Sequence, residues 1–131
     1  MGVTMSELTS VVLVEDDPDI AELARISLSD IGGLEFVHFF SGQEALKGLV
    51  QHCPDLIILD YRMPGMNGAE VLLEIRSRAI CRDAPVVFMT ASIMPHHVQR
   101  LRDLGAAEVI AKPFDPLTLA DQLRSIYSSV G

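Results

Sequence analysis

The stretch LIILD at residues 56–60 is a short apolar run that ends in a carboxylate. An uninterrupted apolar run of this length is typical of a strand that is buried on both faces. The loop that follows, YRMPGMNG at residues 61–68, contains proline and glycine, which interrupt regular structure. The sequence therefore predicts a central strand that delivers Asp60 to one edge of a sheet.

Similar runs alternate with helical patterns along the rest of the chain. Further strands are predicted over residues 11–14, 34–40, 85–89 and 109–111. Helices are predicted from Pro18 up to a stop at Gly32 and Gly33, and over residues 41–51, 69–78, 95–104 and 115–127. Five strand–helix units in this order indicate an α/β domain, with a doubly wound parallel sheet covered by helices on both faces.

Length and charge restrict the possible functions. The chain has 131 residues, of which 49% are hydrophobic, so it is expected to form one domain with a real core. Its 10 basic and 18 acidic residues give a net charge of −8, which disfavours direct binding to nucleic acid or to anionic membranes. No apolar run is long enough to span a membrane. Divalent cations and basic partners suit this charge better.

The two cysteines do not form a recognisable motif. Cys53 and Cys81 lack the spacing of a metal site or a redox pair. We therefore expect them to be inert packing residues in a reducing compartment, without a disulfide between them.

Polar residues follow directly on four of the predicted strands. Glu15 and Asp16 come after the first strand, Asp60 ends the third, and Thr90 and Lys112 follow the fourth and fifth. The carboxyl ends of parallel strands meet at one crevice, so these groups are expected to converge. Clustered carboxylates favour a hard cation such as Mg²⁺, and a cation beside a carboxylate and an ammonium suits phosphoryl transfer. A carboxylate can itself be the nucleophile.

The chain resembles the response-regulator receiver domains of two-component signalling. The resemblance rests on VLVEDD (12–17), LIILDYRMPGMNG (56–68), VVFMTAS (86–92) and AKPF (111–114), which occur in this order on consecutive strand ends. It implies the CheY-like, flavodoxin-like strand order 2-1-3-4-5. It also implies a receiver domain over residues 10–128, with a flexible segment at 1–9 and a frayed end at 129–131.

The resemblance also implies a metal site and a phosphoacceptor. Asp60 is then the phosphorylated residue and a metal ligand. Asp16 is expected to bind Mg²⁺ directly and Glu15 through water, and Mn²⁺ can substitute for Mg²⁺. Arg62 is expected to offer its backbone carbonyl to the metal.

The remaining family positions concern the switch. Thr90 and Lys112 are expected to act with Asp60 in catalysis, Thr90 as the switch hydroxyl and Lys112 as a contact of the phosphoryl oxygens. The resemblance also implies that Ala91 leaves room for the phosphoryl group and that Pro113 is the family's cis proline. Val109 departs from the family, because many members carry an aromatic residue there that completes a threonine–aromatic switch.

The implied function is that of a signalling switch. A histidine kinase or histidine phosphotransfer protein is expected to donate a phosphoryl group to Asp60, which then changes binding to an unidentified downstream protein. The module is expected to catalyse its own phosphorylation and slow dephosphorylation rather than to be an enzyme. We expect it to be cytoplasmic, a monomer or weak dimer, and without direct contact to nucleic acid or membrane.

Several other polar and sulfur-containing residues are expected to have structural rather than functional roles. Asp17 is expected to cap a helix rather than bind metal. His96 and His97 are expected to be exposed polar residues, because adjacent helical positions do not share a face. The methionines of the loops and strands are expected to serve packing.

Two other functions stay open at this point. Val109 favours a receiver-like interaction module that works without phosphorylation. An enzyme on the same topology is the other, either an aspartyl phosphatase or a flavodoxin-like carrier. The phosphatase type needs Asp-x-Asp right after its first strand with a hydroxyl close behind, whereas this chain has Asp16-Asp17-Pro18 there and its candidate nucleophile on the third strand. A flavodoxin would need a Ser/Thr-rich phosphate loop after the first strand, which this sequence lacks.

Overall fold

The computed structural model describes residues 7–130 and contains a five-stranded parallel sheet in the order β2-β1-β3-β4-β5. The strands are β1 (Ser10–Val14), β2 (Glu35–Phe39), β3 (Leu56–Asp60), β4 (Val86–Thr90) and β5 (Glu108–Ala111). The helices are α1 (Pro18–Arg25), α2 (Gly42–Gln51), α3 (Gly68–Ser77), α4 (Pro95–Asp103) and α5 (Leu119–Val130). This confirms the predicted fold class and strand order.

The apolar runs of the sequence become the interior strands. All five residues of β3 and all five of β4 are buried, whereas β2 at the sheet edge is buried only in part. Successive side chains of each strand point to opposite faces, so a strand covered on both sides must be apolar throughout. Leu59 of β3 therefore packs with one half of the core and Ile58 with the other.

Two apolar cores lie on the two faces of the sheet. One contains residues of α2, α3 and α4, such as Leu46, Leu72 and Leu101. The other contains residues of α1 and α5, such as Ala24 and Leu123. Burial on both faces holds the strand ends in fixed positions, and these ends carry the polar residues of interest.

Side-chain caps set the beginnings of three helices. Asp17 accepts hydrogen bonds from the backbone N–H groups of Asp19 and Ile20, which confirms its expected role as the cap of α1. Ser41 caps α2. Asn67 begins α3 with a capping box, in which its side chain and that of Glu70 each accept a backbone hydrogen bond.

The first helical stretch ends where it is predicted to end, whereas the last helix begins later than predicted. After α1 the chain continues in a π-helical segment, Ile26–Ile31, which ends at Gly32, the predicted stop. The last helix begins at Leu119 rather than at residue 115. Asp115 instead forms a turn, in which its carboxylate accepts from the N–H of Leu117.

The structure describes contacts near both ends of the predicted domain. Leu8 is buried, and Asp55 accepts hydrogen bonds from the backbone N–H and the hydroxyl of Thr9. At the other end, α5 extends through Val130. Residues 1–6 of the segment expected to be flexible, and residue 131, lie outside the described residues, and the proposed domain limits stay a prediction.

The expectation for the cysteines is wrong. Cys53, just after α2, and Cys81, after α3, form a disulfide with their Cα atoms 5.5 Å apart. Both Ala79 and Cys81 adopt positive φ, and the turn that they form brings the Cys81 side chain back toward the end of α2. The 28-residue separation gives no sign of this proximity, since it arises from the packing of two helices against the same face of the sheet.

None of the helices within residues 7–130 is both long and apolar enough to cross a lipid bilayer.

Candidate functional site

The sheet register brings the predicted site residues to one edge. Parallel pairing aligns Val14 with Leu59, Asp60 with Met89, and Thr90 with Ala111. The ladders continue one residue further, because the N–H of Glu15 donates to Phe39 and the N–H of Lys112 donates to Thr90. Glu15, Asp60, Thr90 and Lys112 therefore lie at the carboxyl ends of four different strands, as the sequence predicts.

Lys112 joins two of the carboxylates. Its Nζ donates to Oδ1 of Asp60 over 2.9 Å and lies 2.7 Å from Oε1 of Glu15. The Lys112 side chain is 16% exposed, whereas those of Glu15 and Asp60 are 1% and 6% exposed. This ammonium is therefore held by the two carboxylates and is not an ordinary solvated surface lysine.

The carboxylates Glu15, Asp16 and Asp60 form the only group of their kind that could hold a metal within the described part of the chain. Each offers an oxygen within 4.8 Å of the others. Three carboxylates face a single ammonium, and Oε1 of Glu15 is buried without accepting a well-directed hydrogen bond. An all-oxygen donor set with excess negative charge fits a hard divalent cation such as Mg²⁺.

Burial changes the acid–base behaviour of this group. Burial, with the neighbouring Asp60 carboxylate, raises the pKa of Glu15 to about 7, although the contact with Lys112 opposes the increase. For Lys112, burial lowers the pKa, but the contacts with Glu15 and Asp60 outweigh it and leave the pKa above its ordinary value. A raised pKa is the expected result for a carboxylate that is buried, and a second carboxylate beside it adds to the effect.

The start of α3 at Gly68 lies close to the backbone at the end of β3. The N–H of Gly68, the first residue of α3, donates to the carbonyl of Tyr61. A Cβ on Gly68 would lie 2.4 Å from the carbonyl oxygen of Asp60, so no other residue fits there without displacement. Gly68 thus lets α3 begin directly against the end of β3.

The other predicted positions lie around this centre. Arg62 has an exposed side chain and lines an open cavity with Met63, Pro64 and Asn67. Its backbone carbonyl as a metal ligand stays a prediction.

The Lys112–Pro113 peptide bond is cis, as expected. Val109 is half-buried and packs against the core, so β5 supplies no aromatic ring beside Thr90.

The surroundings of Thr90 could not be predicted from the sequence. The expectation that His97 is an exposed polar residue is wrong, because it is half-buried and its Nε2 lies 3.4 Å from Oγ1 of Thr90. Burial and the nearby Arg100 lower the pKa of His97. His96 is exposed, in agreement with the prediction. The only signal in the sequence is the position of His97 in the first turn of the helix that follows Thr90.

Comparison with known proteins gives the family. The response regulator receiver domain model matches residues 11–124. The transcriptional regulatory protein MalR of Bacillus subtilis is 37% identical over 109 residues, which cover 82% of this chain and 46% of MalR. PhoB of Pseudomonas aeruginosa is 28% identical over 122 residues, which cover 93% of this chain and 53% of PhoB. The chain thus spans about half the length of these curated relatives.

Solved structures agree with this result. Chemotaxis protein CheY4 of Vibrio cholerae superposes with a TM-score of 0.83 and 29% identity, covering 91% of this chain and 98% of CheY4. A receiver domain of a histidine kinase from Syntrophus aciditrophicus gives 0.80 and 32% identity, with 93% and 92% of the two chains covered.

The chain belongs to the response regulator receiver domain family of two-component signalling. This class is a phosphoacceptor module rather than a conventional enzyme. The acidic group of Glu15, Asp16 and Asp60 is consistent with a phosphoacceptor site that uses a divalent metal.

Proposed function

We propose that Asp60 accepts a phosphoryl group from a phosphohistidine of a histidine kinase or histidine phosphotransfer protein. An oxygen of Asp60 forms the new bond to phosphorus while the phosphorus–nitrogen bond breaks. The bonding electrons leave with the imidazole, which takes up a proton. The single observation that carries the proposal is the position of Lys112, which binds Asp60 directly at the meeting point of three carboxylates.

Each residue of the site has a distinct part in this transfer. Lys112 orients Asp60 and remains close enough to contact the phosphoryl oxygens that Asp60 receives. Thr90, 4% exposed and one residue beyond the cross-strand neighbour of Asp60, supplies a hydroxyl for the same oxygens. Asp16, Asp60 and Glu15 would hold Mg²⁺ or Mn²⁺, with the backbone carbonyl of Arg62 as a further ligand. Bound there, the metal would neutralise charge on the phosphoryl group.

The proposal extends to the partners of the protein. The module catalyses its own phosphorylation and slow dephosphorylation, and the phosphorylated form changes binding to a downstream protein. It acts in the cytoplasm, as a monomer or weak dimer, without direct contact to nucleic acid or membrane. The net charge of −8 supports the absence of a nucleic-acid surface in this chain.

The test is covalent labelling. Wild-type protein is incubated with acetyl phosphate or phosphoramidate and Mg²⁺, and its mass is measured before and after hydroxylamine. We expect one added phosphoryl group that hydroxylamine removes, and none on Asp60→Asn. Asp83→Asn is the matched control, since Asp83 is an exposed carboxylate outside this site. An equal adduct on Asp60→Asn would reject Asp60 as the acceptor.

A second function, phosphorylation-independent binding, is favoured by one observation. Val109 cannot move a ring between exposed and buried positions, so the aromatic half of the family's switch is missing. Beryllofluoride, which mimics a bound phosphoryl group, separates the two functions. If Mg²⁺ and beryllofluoride leave partner binding and the amide spectrum of α4 and β5 unchanged, the phosphorylation-independent function is the correct one.

A further inference from the structure

His97 occupies the side of Thr90 that faces α4. Its Nε2 lies 3.4 Å from Oγ1 of Thr90, and the same oxygen accepts a hydrogen bond from the N–H of Ser92 over 3.2 Å. A hydroxyl has a single proton, and the Ser92 contact does not use it. The proton of Thr90 is therefore available to a neutral imidazole.

The same turn of α4 also contacts the residue that follows the phosphoacceptor. The ring of His97 packs edge-on against Tyr61, with centroids 4.8 Å apart at 81°. The hydroxyl of Tyr61 accepts from Nη2 of Arg100 over 2.9 Å. His97 and Arg100 are three residues apart and therefore share one helix face. This face of α4 therefore contacts both Thr90 and Tyr61.

The position of Val109 makes this contact important. The side chain of Val109 on β5 has neither a ring nor a hydrogen-bonding group, so it makes no hydrogen bond to the Thr90 hydroxyl. Among the described residues, His97 is the only side chain that lies within hydrogen-bond distance of Oγ1 of Thr90. Any movement of that hydroxyl toward Asp60 must break the contact with α4.

We infer that His97 is a positioning residue that holds the Thr90 hydroxyl in the unphosphorylated protein and couples its movement to α4. The inference rests on the proposed function, in which Asp60 receives a phosphoryl group. The single hydroxyl proton of Thr90 can be donated to His97 or to a phosphoryl oxygen, but not to both at once. Phosphorylation therefore competes with His97 and biases α4 between two positions.

The first test measures this competition. His97→Phe keeps a ring against Tyr61 and removes the partner of Thr90, whereas His97→Gln keeps a polar group that can reach the hydroxyl. His96→Phe is the matched control on the exposed neighbouring position. Calorimetry in the presence of Mg²⁺ should show that His97→Phe binds beryllofluoride about two- to tenfold more tightly than wild type does. This is the change in affinity that corresponds to the free energy of one ordinary hydrogen bond. His97→Gln and His96→Phe should stay close to wild type.

The second test uses no substitution of His97. In NMR spectra of the unliganded protein, Thr90→Val should shift the imidazole signals of His97 and the amide signals of the first turn of α4, but not the ring of His96. Beryllofluoride added to wild type should move the His97 signals in the same direction. A merely structural role of His97 would not predict this agreement.

The outcomes distinguish the two proposals. If wild type binds beryllofluoride but His97→Phe binds it no more tightly, the coupling through His97 is wrong and the proposed function stands. The coupling is also wrong if Thr90→Val leaves the His97 ring signals unchanged. If wild type binds no beryllofluoride in the presence of Mg²⁺, the proposed function and the coupling fall together.

Discussion

Lys112 donates a hydrogen bond to Asp60 over 2.9 Å, although the two residues are 52 positions apart in the chain. The contact exists because β3 and β5 both end at the same edge of the sheet, separated only by β4. It gives the Asp60 carboxylate, the proposed acceptor, a fixed orientation and a counter-charge before any phosphoryl group arrives. The phosphorylation rate should therefore depend directly on this ammonium.

Removal of the Lys112 ammonium should disable phosphoryl transfer. In Lys112→Ala, Asp60 loses its orienting hydrogen bond, and the arriving phosphoryl oxygens lose a positive charge. We expect the rate of labelling by acetyl phosphate to fall by about 10²-fold, the usual effect of losing one charge-stabilising donor. Lys47→Ala is the matched control, because Lys47 is the other lysine of the chain and lies exposed on α2. An undiminished rate in Lys112→Ala would contradict the assignment.

The stability of the metal-free protein should depend on the ionisation of Glu15. Its pKa is about 7 in the folded protein and 4.5 without the fold, so the folded state binds more protons between these values. The stabilising contribution is complete below the lower value and is lost as the pH rises through about 7. Urea unfolding in the presence of a chelator should therefore show a decrease over this interval.

Glu15→Gln and Mg²⁺ provide the controls for this pH dependence. The glutamine cannot ionise, so the variant should lack this decrease. Mg²⁺ favours the ionised carboxylates and should weaken it in wild type. If Glu15→Gln retains the full decrease between pH 4.5 and 7, another group is responsible.

Gly68→Ala should damage the site, although alanine is the better helix former. The added Cβ would meet the Asp60 carbonyl oxygen at 2.4 Å and the ring of the buried Phe88 at 2.9 Å, which leaves little room to adjust. We expect a loss of about 1–3 kcal/mol in the free energy of unfolding, with slower labelling of Asp60. Ala69→Gly tests helix propensity alone. It should cost about 1 kcal/mol and leave the labelling rate unchanged.

The disulfide between Cys53 and Cys81 should contribute to stability. It links the end of α2 to the loop before β4 and restricts the unfolded chain over a 28-residue separation. A reductant should lower the free energy of unfolding by about 2–4 kcal/mol. The double variant Cys53→Ser, Cys81→Ser should show the lower stability with no further effect of reductant. Free thiols in the untreated protein, detected by alkylation and mass measurement, would contradict the pairing.

The strand–helix alternation and the polar strand ends could be predicted from the sequence because both depend on local pattern. An uninterrupted apolar run such as residues 56–59 is typical of a strand that helices cover on both faces, and the polar residue that follows it marks the end of that strand. The amino-acid pattern alone therefore predicts the strand that places Asp60 at the sheet edge. The same reasoning predicts the capping role of Asp17, since the cap contacts only its own helix.

The contacts between distant elements depend on the tertiary structure. The disulfide needs the particular turn at Ala79 and Cys81, and no sequence pattern distinguishes this cysteine pair from two buried thiols. The contact of His97 with Thr90 needs the rotation and approach of α4, which are set by packing of Leu101 against the core. Helical periodicity predicts which residues share a helix face, but it does not predict which residues of other elements that face contacts.

The sequence by itself therefore predicted the strands and the polar residues at their ends, because apolar periodicity and strand ends are local properties, and its motifs resemble those of the receiver domain family. Only the tertiary structure decided how these residues are paired. It joined Lys112 to Asp60 and Glu15, raised the pKa of Glu15 by burial, and placed His97 against Thr90. Distances and burial arise from the packing of whole elements, and no single stretch of the chain contains that information.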